Sequence, residues 1–95
     1  MEIAVSSNVV TITGNIKTIN DYQDIKGSLD ALAATNKSIV IKIVDSISIT
    51  SSVIGYFNKL VLKDGIDLSI YVGNAQLKEL FDDLDLTSLF KVKKG

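Results

Sequence analysis

Two adjacent serines, Ser51 and Ser52, are the residues of this chain best suited to chemistry. They follow a run rich in β-branched residues and precede apolar residues at helical spacing, so they are predicted to lie where a strand leads into a helix. Serine is a preferred N-cap, and its loss costs about 1 kcal/mol. A hydroxyl at such a junction is also a site where a kinase could add a phosphate, with a charge of about −1.5 to −2. Local sequence alone favours the capping role.

The inventory of side chains speaks against an enzyme. The chain contains no cysteine and no histidine, which removes thiolate and imidazole chemistry, disulfides and nearly all zinc, copper and haem sites. A Ser-His-Asp hydrolase is excluded for the same reason. The acidic residues Asp82, Asp83 and Asp85 are predicted to form a solvated helix face. We therefore expect no catalytic residues, no metal site and no cofactor.

Charge and hydropathy limit the partners. The formal net charge is −1, and all ten basic residues are lysine. Without arginine the chain lacks the planar guanidinium group favoured for contacts with bases and phosphates. The lysines are also spread along the chain, except at residues 91–94, so no nucleic-acid partner is expected. Apolar runs stay far below 18 residues, and no basic n-region with an apolar core opens the chain. The prediction is a cytoplasmic protein without direct membrane insertion.

The elements that must position the serines follow from periodicity. A length of 95 residues with 46% hydrophobic and 22% charged residues indicates one globular domain, residues 1–95. Residues 3–5 and 8–13 are predicted to form an antiparallel strand pair. A helix with Asn20 as its N-cap should follow and end near residues 35–36.

The second half alternates strand and helix. The run "SIVIKIV", residues 38–44, predicts a strand covered on both faces. A helix after the serines should close at residues 63–65, and "IDLSIYV" predicts another strand. A third helix should begin after Gly73 and Asn74, and Leu86, Leu89 and Phe90 suggest a last short helical turn. The order β-β-α-β-α-β-α-α predicts an α/β fold with a mixed, mostly parallel sheet, helices packed on it, and the opening strand antiparallel at an edge.

Three motifs in this order resemble the STAS family, the domain shared by sulfate transporters and bacterial anti-sigma-factor antagonists. The stretch "ITSSVIG", residues 49–55, is similar to the family's central motif, an apolar residue followed by Asp-Ser-Ser-Gly-Leu-Gly. "GNIK", residues 14–17, stands where the family commonly has Gly-x-Leu-Asp. "LKELFDDLDLTSLF", residues 77–90, resembles its C-terminal Leu-x-x-Leu-x-Leu-x-Gly-Leu-x-x-Leu-Phe. The resemblance spans about the whole chain.

The resemblance implies signalling through protein–protein contacts. In the antagonists the first serine of the pair is phosphorylated by a partner kinase that is also the anti-sigma factor, and the unphosphorylated form binds that partner and frees the sigma factor. By position the acceptor here is Ser51, with Thr50 a weaker candidate. The resemblance implies a stand-alone bacterial regulator of transcription that acts by partner switching. The partner-binding residues it implies are Lys17, Thr50, Ser51, Ser52, Val53, Ile54 and Tyr56.

Departures from the family pattern leave a second interpretation open. Thr50, Lys17 and, in an ungapped alignment, Lys42 replace family aspartates, while Ser46 replaces an apolar residue. Loss of carboxylates near the serine favours an adaptor that does not need phosphorylation, in a transport complex (lipid transport, for example) or a signalling complex. Both lysines, if they approach the serines, should attract an anionic group of the partner. Gly55 is either filler in its helix or a point of close approach.

Overall fold

Strands and helices alternate along the chain after an opening pair of strands. The computed structural model describes all residues, 1–95. The elements are β1 (Glu2–Ser6), β2 (Val9–Thr13), α1 (Ile19–Ala33), β3 (Ser38–Ile43), α2 (Ser51–Leu62), β4 (Asp67–Val72), α3 (Ala75–Asp83) and β5 (Val92–Lys94). None of the three helices combines the length and the apolar character that a membrane crossing requires.

The five strands form one sheet in the order β1-β2-β3-β4-β5. β1 pairs antiparallel with β2 at one edge, and every other pairing is parallel. This confirms the predicted α/β fold with a mixed, mostly parallel sheet. Because the carboxyl ends of parallel strands meet at one edge, residues 14–18 after β2 and 44–50 after β3 form neighbouring loops. The serine pair follows the second of these loops.

The helices cover one face of the sheet and build the core there. In β2, β3 and β4 alternate residues are buried, as the two-residue period of a strand requires. Phe90 packs edge-to-face against Phe57 of α2 and Phe81 of α3, with ring centroids 5.9 and 6.1 Å apart. The strand residues of this core are Val10, Ile12, Ile39, Ile41, Ile43, Leu68, Ile70, Val72 and Val92.

The opposite face of the sheet carries no helix, so the prediction that β3 is covered on both faces is wrong. Val40 is only partly buried there, and Lys42 is exposed. Tyr71 is half-buried on this same face. We call this surface the open face. Lys42 lies between Ile41 and Ile43, which are both buried. A lysine at this position is the sequence signal that the other side of the strand is polar.

The chain after α3 makes the short helical turn that Leu86, Leu89 and Phe90 predict, with a hydrogen bond from Phe90 N to Leu86 O of 3.0 Å. The turn does not lengthen into a fourth helix, because Asp85 before it and Lys91 after it have a positive φ, near 57° and 50°, which a right-handed helix does not accommodate. Residues 87–91 make a single turn, closed by a hydrogen bond from Val92 N to Thr87 O of 2.9 Å. The turn leads into β5, a three-residue edge strand that periodicity did not predict.

Candidate functional site

The loops after β2 and β3 are tied together by hydrogen bonds. Ile16 N donates to Ser46 Oγ over 3.1 Å, and Ser48 Oγ returns a hydrogen bond to Ile16 O, also of 3.1 Å. Ile47 N donates to Asn15 Oδ1 over 3.1 Å. The first loop leads to Lys17 and α1, and the second leads to Thr50 and α2. The two helices therefore begin side by side at this edge.

Ser46 is the residue that holds this junction. Its relative exposure is 0%, and it is the one polar residue among the buried side chains. Its hydroxyl accepts from Ile16 N and from Ser48 N (3.3 Å) and donates to Ser48 O (2.5 Å). A buried polar group needs such partners. The sequence signal of this role is a serine where the STAS-like pattern has an apolar residue, and that pattern alone does not predict the junction.

α2 begins one residue earlier than a serine cap would place it. Thr50 has extended backbone angles, and its Oγ1 accepts from Val53 N over 3.3 Å. Thr50 is therefore the N-cap, and the prediction that the serine pair caps this helix is wrong. Threonine is itself a good N-cap. Because Thr50 lies three positions before Val53, its hydroxyl oxygen can reach the Val53 N–H. Ser51 and Ser52 occupy the first two helical positions, and both are exposed.

α1 begins with a capping box instead of the predicted Asn20. Thr18 Oγ1 accepts from Asp21 N (3.0 Å), and the Asp21 carboxylate accepts from Thr18 N (3.0 Å) and Lys17 N (2.9 Å). The hydrogen bond from the Lys17 N–H is the main reason why the pKa of Asp21 is lowered. Thr18 has the acid three residues later that a capping box requires, and Asn20 does not. The helix ends at Ala33, before the predicted residues 35–36.

A surface concavity of about 320 Å³ lies between the two helix starts. Lys17, Thr50 and Ser52 line it together, so Lys17 meets the condition of lying near the serine pair. Ser51 lies just outside it, between two of its lining residues. Lys42 does not join them, because it lies on the open face and lines another concavity. The six residues that line the concavity are Lys17, Thr18, Ile19, Tyr22, Thr50 and Ser52.

Two residues of the predicted partner-binding set lie inside the protein. Val53 has 0% and Tyr56 5% relative exposure, because helical periodicity turns both toward the sheet and α1. The Tyr56 hydroxyl donates to Asp30 Oδ1 over 2.5 Å, and burial, then this carboxylate, raises the pKa of Tyr56. A hydrogen bond from Lys26, followed by that from Tyr56, lowers the pKa of Asp30. Ile54 is partly buried against the core.

The outer side of α2 presents small residues. Ser51 and Gly55 are both exposed and stand one helical turn apart. A Cβ placed on Gly55 would meet no atom within 4 Å, so packing inside this chain does not require the glycine. Two large apolar side chains nearby are unusually exposed, Ile19 at 75% and Ile47 at 53%. We call the following set the α2 surface: Lys17, Ile19, Ile47, Thr50, Ser51, Ser52 and Gly55.

The α2 surface is suited to binding. The first turn of α2 carries no acidic residue, so the positive end of its helix dipole is not offset and favours an anion by about 0.3–1 kcal/mol. Lys17 adds a positive charge from the neighbouring loop. An exposed hydroxyl, an uncompensated helix end and apolar flanks are features that a protein partner can contact.

The acidic residues after α3 lie elsewhere and are exposed, as predicted. Asp82 forms an ion pair with Lys78 at 2.8 Å and accepts a hydrogen bond from Thr87. The hydrogen bond from Lys78 is the main reason why the pKa of Asp82 is lowered. The structure assembles no group of three acidic side chains that could hold a metal ion.

Comparisons of the chain with protein families, with curated proteins and with solved structures found no match in any of the three.

Proposed function

We propose that this protein is a non-catalytic regulatory module that binds a kinase-type anti-sigma factor, or a related partner-switching kinase, in the cytoplasm. The observation that carries the proposal is the position of Ser51. It is exposed at the first position of α2, beside the concavity that contains Lys17. This is also the position where the resemblance to the STAS family places the phosphate acceptor.

Docking of the unmodified protein would use shape and apolar contact. Ser51, Ser52 and Gly55 have little or no side chain, so the backbone of a partner can approach α2 closely. Ile19 and Ile47 offer exposed apolar area, and each fully covered aliphatic side chain contributes about 1.5–3 kcal/mol. Lys17 can pair with an acidic residue of the partner.

Phosphorylation would reverse the electrostatics of this surface. The Ser51 Oγ would attack the γ-phosphorus of ATP held by the partner, with ADP as the leaving group and the hydroxyl proton passing to a base of the partner. The product carries a charge of about −1.5 to −2. The start of α2 and Lys17 favour that charge within this chain, while a partner acid that faces Lys17 is repelled. The modified protein would stay folded and release its partner.

The residue before Ser51 favours a second candidate function. Thr50 is neutral and occupied with capping, and no carboxylate lines the adjacent concavity. A serine without a nearby carboxylate is less well oriented for transfer. The alternative is an adaptor subunit of a transport complex, such as a lipid-transport complex, or of a signalling complex, which binds through the same α2 surface without phosphorylation.

The two candidates can be separated by affinity capture from source cells with three baits: wild type, Ser51→Asp and Ser7→Asp. Ser7 is an exposed serine in the β1–β2 turn, at the opposite end of β2 from the α2 surface, so it controls for added charge. We expect wild type and Ser7→Asp to retain a kinase-like ATPase that Ser51→Asp loses. The purified ATPase should add one phosphoryl group to wild type and none to Ser51→Ala. The same partner on all three baits, or transport proteins only, would support the adaptor.

A matched pair of glycine substitutions tests whether the partner approaches α2. Gly27 in α1 and Gly55 in α2 are both exposed, and a Cβ at either meets nothing within 4 Å. Each change to alanine should raise the free energy of unfolding by about 0.5–1 kcal/mol. Only Gly55→Ala should weaken partner binding, measured by calorimetry. Equal affinity of the two variants would place the interface elsewhere.

A further inference from the structure

The open face of the sheet has a cationic row across its centre. Strand register places Lys42 of β3 and Lys93 of β5 on either side of Tyr71 in β4. Neighbouring strands lie about 4.8 Å apart, so the two lysine backbones are separated by about 10 Å. Both lysines are exposed. Lys42, Tyr71 and Lys93 therefore share one row on a surface without a helix.

Two concavities meet at Tyr71, and they differ in chemistry. The larger, about 560 Å³, is bordered by Val40, Val44 and Lys42. Gly73 also borders it, at a close approach to the backbone after β3, since a Cβ there would lie only 2.5 Å from Val44 O. The smaller, about 410 Å³, is polar, with Lys93 and hydroxyl side chains among its lining residues. The hydroxyl residues other than Tyr71 are Ser69, Thr87 and Ser88.

The charge of the central row is not compensated within the chain. Four ion pairs form in the protein, and neither Lys42 nor Lys93 takes part in them. Lys91, at the margin, is paired with Asp67 at 2.5 Å. Glu2 lies on the far edge strand, in register with Thr13. A protein of net charge −1 thus concentrates unpaired positive charge at the centre of its open face.

We propose that the open face is a second binding surface, and that its occupant is an extended segment of a partner protein with an apolar side chain next to acidic ones. The apolar side chain enters the concavity beside Val40 and Val44. The carboxylates reach Lys42 and Lys93, and the Tyr71 ring packs between them. This surface is separate from the α2 surface, and the inference does not depend on the function proposed above.

Charge and composition favour this occupant over two others. A second copy of the chain, packed face to face, would bring lysine rows of the same sign together, which opposes association. A single-stranded nucleic acid stacks successive bases on several aromatic rings and is held by arginine and lysine. The open face has one aromatic ring, and the chain has no arginine. An acidic and apolar protein segment satisfies both the lysines and the apolar concavity.

The test is an NMR titration of the whole chain with the synthetic peptide SLSESLSE. In an extended chain, alternate residues point to the same side about 7 Å apart, so leucine and glutamate face the sheet together. We expect shifts of the amide signals of Lys42, Tyr71 and Lys93, and weaker binding at high salt. The peptide SLSKSLSK, with lysine in place of glutamate, should not bind.

Two double variants with equal charge change make the result decisive. Lys42→Glu/Lys93→Glu should weaken SLSESLSE binding by roughly tenfold or more, because like charges then oppose each other. Lys37→Glu/Lys63→Glu changes two exposed lysines outside the open face. This variant should keep an affinity for SLSESLSE within about twofold of wild type. Equal loss in both variants, shifts confined to the α2 surface, stronger binding of an oligo(dT) strand, or self-association in sedimentation would each overturn the inference.

Discussion

The two helices that meet at the site begin in different ways. At α1 the Asp21 carboxylate accepts from two backbone N–H groups and supplies a negative charge to the helix end. At α2 a neutral threonine makes one hydrogen bond, and the first turn carries no acid. An acid in the first turn stabilises a helix by about 0.3–1 kcal/mol. The α2 end lacks this contribution at the two exposed positions that serine occupies, and positions that forgo a local stabilising interaction are candidates for a functional role.

The largest expected effect on stability comes from removing the Ser46 hydrogen bonds that join the two helix starts. Ser46→Ala removes the hydroxyl that accepts from Ile16 N and Ser48 N. Because a buried N–H then lacks its partner, we expect the free energy of unfolding to fall by about 1–3 kcal/mol. Urea unfolding measures this loss. Ser6→Ala, a change at an exposed position of β1, is the control, and an equal effect of both changes would contradict the role of Ser46.

The next effect compares the caps directly. Thr18→Ala/Asp21→Ala removes the whole capping box of α1 and should cost about 1–2 kcal/mol. Thr50→Ala removes one hydrogen bond of 3.3 Å and should cost about 0.5–1 kcal/mol. Urea unfolding of both variants under the same conditions gives the difference. A larger loss of stability in Thr50→Ala than in Thr18→Ala/Asp21→Ala would show that the cap of α1 is not the stronger one.

A smaller effect sharpens the electrostatic side of the comparison. Ser51→Asp places an acid in the first turn of α2 and should raise the free energy of unfolding by about 0.3–1 kcal/mol at low salt. Ile19→Asp changes the equivalent exposed position of α1, where Asp21 is already present. It should therefore raise the free energy of unfolding by less than Ser51→Asp does. Thermal unfolding at low and high salt separates the two. Stabilisation by Ser51→Asp also means that its loss of partner binding would not reflect unfolding.

The smallest effect is a dependence on pH. The pKa of Asp21 is lowered from its ordinary value of 3.8, mainly by the Lys17 N–H. Its stabilising contribution is therefore fully present above the unfolded-state pKa and is lost as pH falls through the lower folded-state pKa. The difference in unfolding free energy between wild type and Asp21→Asn should narrow as the pH drops below that range. A constant difference would mean that the carboxylate charge does not stabilise α1.

The sequence was a good guide to the core and a poorer one to the surface. The apolar run of residues 38–44 predicts β3, and apolar residues at helical spacing predict α2, since burial of apolar residues decides both elements. The same periodicity, applied to the predicted partner-binding set, turns Val53 and Tyr56 inward. It also puts Lys42, between two buried isoleucines, on the opposite face from the helices.

Other features could not be derived from local pattern. β5 has one buried residue, Val92, so its pairing with β4 depends on how Phe90 fixes the preceding turn in the core. Thr50 and the serines after it are all competent caps, and the choice depends on where the Ser46 junction sets the start of α2. Both outcomes arise from contacts between residues far apart in the chain.

The Ser46 junction has a consequence for protein engineering. Its hydrogen bonds join residues about thirty positions apart, so residues 14–18 and 44–50 form one structural cassette. If one of the two loops were replaced with a loop from another protein, the unaltered loop would lose its hydrogen-bond partners. New recognition properties are therefore best introduced by exchanging both loops together, or by altering only side chains that point outward, such as Lys17 and Ile47.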